Sequence, residues 1–236
     1  MSSLDIDAVA RAAQAELGGW RTRVAGLPYE RKGVLYSEIF FLYLCARTMR
    51  PARILESGRA RGQSTALLAL SFPEAAIVSF EHDARSPDAA VAAARLTPYR
   101  NVELRFGDAT RELPAIARPG DVVLIDGPKG FRALRLALRL LARCGVAMAF
   151  LHDMTPGTPE RRFLERRLPA TLYSDDRRFA EVAHSLDAAA GEIPEQHRWR
   201  GRDGYGYSLA CLQRRPDERY WTAWLGAVLA GVARRA

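Results

Sequence analysis

Five acidic residues of this 236-residue sequence stand at or just beyond the ends of short apolar runs. They are Glu56, Glu81, Asp108, Asp126 and Asp153. Ligands of open α/β sheets bind at the carboxyl ends of the strands, where such carboxylates can accept hydrogen bonds from ligand hydroxyl groups. One acid taken alone is also explained as the cap of a helix or a turn. Five acids in equivalent positions favour a ligand site.

Lysine is rare in this chain, which carries Lys32 and Lys129 among its 35 basic residues. Lys129 follows Asp126 by three positions in the stretch DVVLIDGPKG. The tetrad Asp-Gly-Pro-Lys is a plausible surface turn, in which Lys129 points to water. A chemical role would instead require something that the chain's usual arginine cannot supply.

A glycine-rich turn follows the first of the apolar runs. In the stretch ESGRARGQS, Gly58 and Gly62 allow the backbone to approach a ligand closely, and Ser64 begins a helix whose free N–H groups can bind an anion. Glu81 comes about 20 residues after this turn, a spacing that suits hydrogen bonds to ribose hydroxyls. The sequence therefore predicts a nucleotide-like ligand.

The elements that position these residues alternate regularly. Helical patterns separate apolar runs predicted as strands at residues 53–57, 76–81, 101–106, 121–126 and 145–151, with two closing strands at 170–174 and 205–213. Continuous apolar strands that alternate with helices indicate a parallel sheet covered on both faces. We expect a doubly wound, mostly parallel α/β fold whose last strand is antiparallel.

We expect one structural domain with three parts. An N-terminal helical cap spans residues 1–50, with a helix over 4–17 that ends in a turn at Gly18-Gly19 and a buried helix over about 35–49. The ligand-binding α/β part spans 51–213, and its long polar segment 175–204 has the length of a lid or binding loop. A helix spans 214–236, with an apolar stripe from Trp221 to Val232. The stripe is expected to pack on the sheet or on a second subunit, as in a homodimer; docking to a membrane surface is the alternative.

The charge, the cysteines and the apolar runs of the sequence limit the kinds of partner and the cellular compartment that we expect. The net charge of +8 would suit an anionic partner, but the arginines are scattered, so we do not expect a nucleic-acid partner. Three cysteines at no metal-ligand spacing predict buried free thiols in a reducing compartment. No signal-peptide pattern and no apolar run of about 18 residues is present. We expect a cytoplasmic protein without a membrane span.

The charge of Glu56 separates two classes of nucleotide-binding fold. A dehydrogenase would bring the pyrophosphate of its cofactor against the glycine turn, where a carboxylate repels it. The sulfonium and ammonium groups of S-adenosylmethionine tolerate that carboxylate. The chain also lacks the Tyr-x-x-x-Lys pair of one dehydrogenase class. Both observations favour S-adenosylmethionine.

Residues 34–153 resemble class I S-adenosylmethionine-dependent methyltransferases with a seven-stranded Rossmann-like fold, and more narrowly O-methyltransferases of the catechol and caffeoyl-coenzyme A type and their cephalosporin-hydroxylase-like relatives. The family motif E-x-G-x-x-x-G-x-S matches the glycine turn. The resemblance implies that the turn holds the methionine part, with Ser64 near its carboxylate. It also implies a set of further cofactor-binding residues: Glu81 at the ribose, His82 and Asp108 at the adenine, Val34 and Asp126 beside the cofactor.

The same resemblance implies catalytic roles. Asp126 would bind Mg²⁺ or another divalent cation together with Asp153, and Lys129 would be the general base, because a nearby cation lowers the pKa of a lysine. The sequence departs from the family where Met154 follows Asp153 in place of an asparagine ligand, and a thioether is a poor ligand for Mg²⁺. The alternatives are a metal-free site in which His152 and Asp153 form an acid–base pair, and a purely structural His152.

These observations predict an enzyme that transfers the methyl group of S-adenosylmethionine to a hydroxyl of a small molecule. The protein would align the acceptor and handle its proton, while the cofactor supplies the electrophile. The alternatives are methylation of RNA or protein, and binding of S-adenosylmethionine without turnover.

Overall fold

The structure, a computed structural model, describes residues 4–30, 34–188 and 208–233. Within them a seven-stranded sheet has the order β3-β2-β1-β4-β5-β7-β6. Only β7 runs antiparallel to its neighbours. The strands are β1 Arg53–Ser57, β2 Ala76–Glu81, β3 Val102–Phe106, β4 Val122–Ile125, β5 Met148–Leu151, β6 Leu172–Tyr173 and β7 Ala210–Gln213. The predicted doubly wound, mostly parallel sheet is confirmed.

Helices cover both faces of the sheet. They are α1 Ile6–Val24, α2 Tyr36–Ala46, α3 Gln63–Ser71, α4 Pro87–Leu96, α5 Ala109–Ile116, α6 Phe131–Arg139, α7 Pro159–Arg167, α8 Arg177–Ala183, α9 Ser185–Ala188 and α10 Tyr220–Ala233. A 3₁₀ turn, Arg47–Met49, follows α2, and a π-helical turn, Leu140–Cys144, follows α6.

The central strands explain the two-sided core. Successive residues of a strand point to opposite faces, so a strand buried on both faces must be apolar throughout. In β4, Val122 and Leu124 contribute to one core cluster, and Val123 and Ile125 to the other. All four are buried. The uninterrupted apolar runs therefore fix these strands in the middle of the sheet.

Helix α1 does not end at Gly18-Gly19, and the predicted turn there is wrong. The helix continues to Val24. Each glycine in a helix interior costs about 1 kcal/mol relative to alanine. Trp20 offsets this cost, because its ring is buried and its indole N–H donates to Ser71 Oγ at 3.0 Å. Tertiary packing decides the length of this helix.

The N-terminal helices and part of the predicted lid form one layer. Helix α1 contacts α8, and α2 contacts both α8 and α9. The first 14 residues of the predicted 175–204 segment are thus packed structure, and its remainder, 189–204, lies outside the described residues. The predicted boundaries at residues 50 and 213 fall just before β1 and at the end of β7.

Helix α10 has a buried face and an exposed face. Tyr220, Ala223 and Ala227 are buried in the core cluster that also contains α6 residues. The opposite face leaves Trp221, Leu225, Leu229 and Val232 exposed, with Leu229 72% accessible. The apolar stripe therefore packs on the protein's own helices only in part.

The cysteines are free thiols, as expected, but not all are buried. Cys45 and Cys211 are buried, and Cys144 is half-buried. None of the helices in the described ranges combines the length and apolar character needed to cross a bilayer.

Candidate functional site

A cavity of about 270 Å³ lies at the carboxyl ends of the parallel strands. It sits where strand order reverses, since β1 leads to β2 and β3 on one side and β4 lies on its other side. Ligands of open α/β sheets bind at this point. The lining residues come from the loops after four strands and from α6: Ser57, Gly58, Phe80, Glu81, His82, Gly107, Asp108, Ala109, Gly127, Pro128 and Arg132.

Gly58 lets two of these loops meet. Its φ of +88° is one that side chains rarely adopt, and an added Cβ would lie 2.7 Å from the backbone nitrogen of Gly127. The N–H of Gly58 donates to the carbonyl of Phe80 at 3.0 Å. A glycine is therefore required for the loops after β1, β2 and β4 to form one wall of the cavity.

Two carboxylates are held at this cavity by backbone donors. Glu81 accepts hydrogen bonds from the N–H of Ala60 at 2.9 Å and of His82 at 2.8 Å. Asp108 caps α5 and accepts from the N–H and the hydroxyl of Thr110, which lowers the pKa of Asp108. Both side chains thus have fixed orientations. The structure brings together at one cavity four of the residues predicted to bind the cofactor: Gly58, Glu81, His82 and Asp108.

Glu56 does not line the cavity. Its carboxylate is buried and accepts hydrogen bonds from Ser64 Oγ at 2.5 Å, from Ser79 Oγ at 2.6 Å and from the Thr65 hydroxyl. Burial raises the pKa of Glu56, although these hydroxyls oppose the shift. The expectation that this carboxylate meets the charges of the cofactor is therefore not supported. Glu56 instead ties β1 to α3 and β2.

Three other predicted cofactor residues also lie behind the cavity wall. Gly62 begins α3 with φ +80°, and an added Cβ would meet the side chain of Leu96 at 2.9 Å. Ser64 is buried and donates to Glu56. Val34 is buried, and its carbonyl accepts from Gln63 Nε2 at 2.8 Å. These residues shape the turn and do not face the cavity.

A second cluster lies beside the cavity, at the ends of β4 and β5. Lys129 Nζ lies 2.5 Å from Asp126 Oδ1 and 2.6 Å from Asp153 Oδ2. His152 Nδ1 lies 2.7 Å from Asp126 Oδ1 and 3.2 Å from Asp153 Oδ1. The loop after β4 belongs to both places, since Gly127 and Pro128 line the cavity between Asp126 and Lys129. The structure thus brings together the four residues predicted for catalysis and metal binding.

The charge state of Lys129 differs from the expectation. Burial would lower the pKa of Lys129, but the Asp126 and Asp153 carboxylates outweigh burial and raise it. The same contacts hold the pKa of Asp126 well below its usual range, since His152 and Lys129 outweigh the effect of burial. In this arrangement the two carboxylates favour the ammonium form of Lys129. Its role as a general base stays a prediction.

Glu38 completes the cluster and was not identified from the sequence. Its Oε2 lies 3.2 Å from His152 Nε2 and accepts the N–H of Leu35 at 2.9 Å. Burial favours a neutral imidazole, but the Asp126 and Glu38 carboxylates hold the pKa of His152 well above its usual value. The available signal was one acid within the otherwise apolar helix YSEIFFLYLCA. His152 is therefore fixed through both ring nitrogens.

The cluster offers three side chains that could be ligands of a cation such as Mg²⁺. Ligand atoms of Asp126, His152 and Asp153 lie within 4.8 Å of one another. Mg²⁺ requires near-octahedral oxygen ligands at about 2.0–2.1 Å. Met154, at the family's third ligand position, is 1% exposed and belongs to the core, and the Lys129 ammonium already contacts both carboxylates. The residues present do not fit a Mg²⁺ site.

No family model matches the sequence, and no curated protein matches it. Among solved structures, the chain is similar to TomG, an O-methyltransferase from Streptomyces achromogenes involved in tomaymycin synthesis, in complex with SAM. The two share 22% identity over 91% of this chain and 93% of that chain, with a TM-score of 0.51.

Two further solved structures resemble the chain. Cofactor-bound Rv0187 from MTB shares 27% identity over 85% of this chain and 90% of that chain, with a TM-score of 0.48. A SAM-dependent methyltransferase from Thiobacillus denitrificans, in complex with S-adenosyl-L-homocysteine, shares 14% identity over 83% of this chain and 98% of that chain, with a TM-score of 0.49. The sheet order, the cavity at its switch point and the likeness to TomG agree: the chain has the fold of class I S-adenosylmethionine-dependent methyltransferases.

Proposed function

We propose that the protein is an S-adenosylmethionine-dependent methyltransferase that acts on a hydroxyl group of a small molecule. The observation that carries this proposal is the cavity at the sheet's switch point, next to the cluster of Asp126, Lys129, His152 and Asp153. A cofactor site and a group of charged residues that can handle a proton share one loop. The complex of the similar protein TomG with SAM supports the choice of cofactor.

The cavity residues suit the nucleoside part of the cofactor. Glu81 has carboxylate lone pairs left after its two backbone hydrogen bonds, and these can accept from ribose hydroxyls. His82, Asp108 and Phe80 line the same cavity and would surround the adenine. Gly58 lets the backbone approach closely. Three residues behind the cavity wall would hold the glycine turn in place without contacting the cofactor: Glu56, Gly62 and Ser64.

The charged cluster suits the acceptor. When bound, S-adenosylmethionine supplies a methyl group whose carbon bonds to the acceptor oxygen as the carbon–sulfur bond breaks. Lys129 would hold that oxygen through a hydrogen bond, since its side chain is 57% exposed. Asp153, 40% exposed and in contact with Lys129, would accept the hydroxyl proton. His152 and Glu38 would keep Asp126 and Asp153 in position.

Two isothermal titrations and a panel of acceptors test the proposal. We expect the purified chain to bind S-adenosylhomocysteine, the product form of the cofactor. We then expect radiolabelled methyl from S-adenosylmethionine to appear on at least one hydroxyl-bearing small molecule. No binding of either cofactor form would contradict the proposal. Binding with no transfer to small molecules, RNA or protein would favour a cofactor-binding protein without turnover.

The exposed apolar face of α10 and the free thiols bear on the protein's partner and location. We propose a homodimer formed through the exposed face of α10, and a cytoplasmic location in keeping with the free thiols of Cys45, Cys144 and Cys211. The acceptor is a small molecule in this proposal.

A further inference from the structure

We infer that the Lys129 ammonium is the built-in cation of this site, in the place where a divalent metal would bridge Asp126 and Asp153, and that the protein works without a metal. The inference rests on the proposed methyl transfer for its role in the reaction. The identity of the cation can be tested without turnover.

Nitrogen atoms of Lys129 and His152 already contact the two carboxylates. The ammonium lies 2.5 Å from Asp126 and 2.6 Å from Asp153, distances of charge-assisted hydrogen bonds. His152 Nδ1 lies 2.7 Å and 3.2 Å from the same two carboxylates. The facing oxygens of Asp126 and Asp153 thus already have nitrogen partners that carry or can carry positive charge.

The residue after Asp153 supplies no oxygen ligand from its side chain. Met154 directs its backbone N–H to the carbonyl of Ser208 at 2.9 Å, and its thioether is buried in the core. Asp153 itself has φ +62°, a left-handed conformation that is uncommon outside glycine. This backbone conformation accompanies the contact between Asp153 and Lys129. The next residue, Met154, has no side-chain oxygen.

The side chains of the cluster differ in burial and in how many contacts hold them. His152 is buried and hydrogen-bonded to Glu38, and Glu38 is fixed in turn by the N–H of Leu35. Asp126 is half-buried, and its N–H donates to the Ser57 carbonyl at 2.8 Å. Lys129 is the most exposed of these side chains. Removing its side chain should therefore leave two preformed carboxylates facing an open space.

The substitution of an ammonium for a metal also limits the acceptor. An ammonium has three N–H donors, of which two contact Asp126 and Asp153. The remaining contact of Nζ is a long one, 3.5 Å to His152 Nδ1, so the third donor can turn to the acceptor. A divalent cation with open coordination positions can bind two neighbouring oxygens at once. We therefore expect acceptors that are recognised through one hydroxyl group and that need no second hydroxyl beside it.

The experiment measures divalent cation binding directly, on full-length protein freed of metal with a chelator. Mn²⁺ is titrated by calorimetry, and the free Mn²⁺ signal is followed by electron paramagnetic resonance. We expect no measurable binding by the wild type. We expect Lys129→Ala to bind Mn²⁺ measurably, at least about tenfold more tightly than the weakest affinity the titration can detect, a difference of about 1.4 kcal/mol. The double variant Lys129→Ala/Asp153→Asn is the matched control and should lose this binding.

Two outcomes of the Mn²⁺ titrations would overturn the inference. Tight Mn²⁺ or Mg²⁺ binding by the wild type would overturn the inference, and so would failure of Lys129→Ala to gain binding. Lys129→Met, which keeps the bulk of the side chain, guards against misfolding, and thermal unfolding of every variant is recorded. S-adenosylhomocysteine affinity of the same samples, with and without chelator, should be unchanged. If the wild type does not bind S-adenosylhomocysteine, the proposed function is refuted, but the conclusion from the Mn²⁺ titrations still holds.

Discussion

At the scale of single residues, Glu81 carries the cofactor proposal. Its carboxylate lies at the cavity, and two backbone N–H groups orient it. Glu81→Ala should weaken S-adenosylhomocysteine binding by about 1–3 kcal/mol, the usual cost of leaving polar partners unpaired. Calorimetry measures the change. Glu103→Ala is a matched control, because Glu103 is exposed on β3 and pairs with Arg105. Equal affinities for the two variants would contradict the role of Glu81.

A second residue-scale prediction concerns pH. Asp187 accepts the N–H of Ser37 at 3.0 Å, and burial raises the pKa of Asp187 to about 6. The folded state therefore favours the protonated carboxyl more than the unfolded state does. The stability linked to this group is present below about pH 4 and is lost as the pH rises through about 6.

Asp187→Asn isolates this contribution, since an amide does not titrate in this range. From pH 4 to pH 7 we expect the free energy of unfolding of the wild type to fall relative to the variant by on the order of 1–3 kcal/mol. Urea unfolding at several pH values measures it. Parallel pH profiles for the two proteins would mean that Asp187 titrates normally.

The types of the site residues could be predicted from the sequence, but the directions of their side chains could not. Glu81 ends β2, and Asp108 and Asp126 follow β3 and β4, so their position at the carboxyl edge is a consequence of parallel topology. Glu56 lies within β1, where alternate residues point to opposite faces. Ser57 faces the cavity, and Glu56 faces the hydroxyls of α3 and β2. Which of the two residues faces the cavity depends on how β1 pairs with β2 and β4.

At the scale of elements, the close approach of the loops after β1 and β4 determines the cavity wall. Gly58→Ala should destabilise the protein by about 2–4 kcal/mol and abolish S-adenosylhomocysteine binding, because the new Cβ would lie 2.7 Å from Gly127. Thermal unfolding and calorimetry measure the two effects.

Gly120→Ala separates strain from crowding. Gly120 has a similar φ of +90°, and an added Cβ would have no atom within 4 Å. This control should cost about 1 kcal/mol, the strain of a left-handed backbone alone, and leave cofactor binding unchanged. If both substitutions had the same effect, the contact with Gly127 would play no part.

The elements also show the limit of local patterns. The central strands β4 and β5 could be predicted because they are apolar without interruption, as burial on both faces demands. The length of α1 could not, because Gly18 and Gly19 argue locally for a turn, whereas Trp20 and Val24 are buried by residues far along the chain. Long-range packing outweighs local propensity in that helix.

At the scale of the whole molecule, α10 presents an apolar face that the described part of the chain leaves uncovered. Trp221, Leu225, Leu229 and Val232 are exposed along it, and Trp221 stacks on Trp224 with ring centroids 4.8 Å apart. A second copy of the chain is the partner we propose, so scattering should give the mass of a dimer for the wild type. The opposite face of α10 is buried, so deleting residues 219–236 would expose the core and aggregate the protein.

Point substitutions therefore test the dimer more cleanly than deletion. Leu225→Glu/Leu229→Glu places two charges at positions that are 48% and 72% exposed. We expect a monomer with an unfolding temperature within a few degrees of the wild type, because surface changes away from packed features alter stability by about 0.5 kcal/mol or less. Ala223→Glu/Ala227→Glu is the contrasting pair, since both alanines are buried and should not tolerate a charge. A wild type that is already monomeric at all concentrations, or a double variant that remains dimeric, would show that this face of α10 is not the subunit interface.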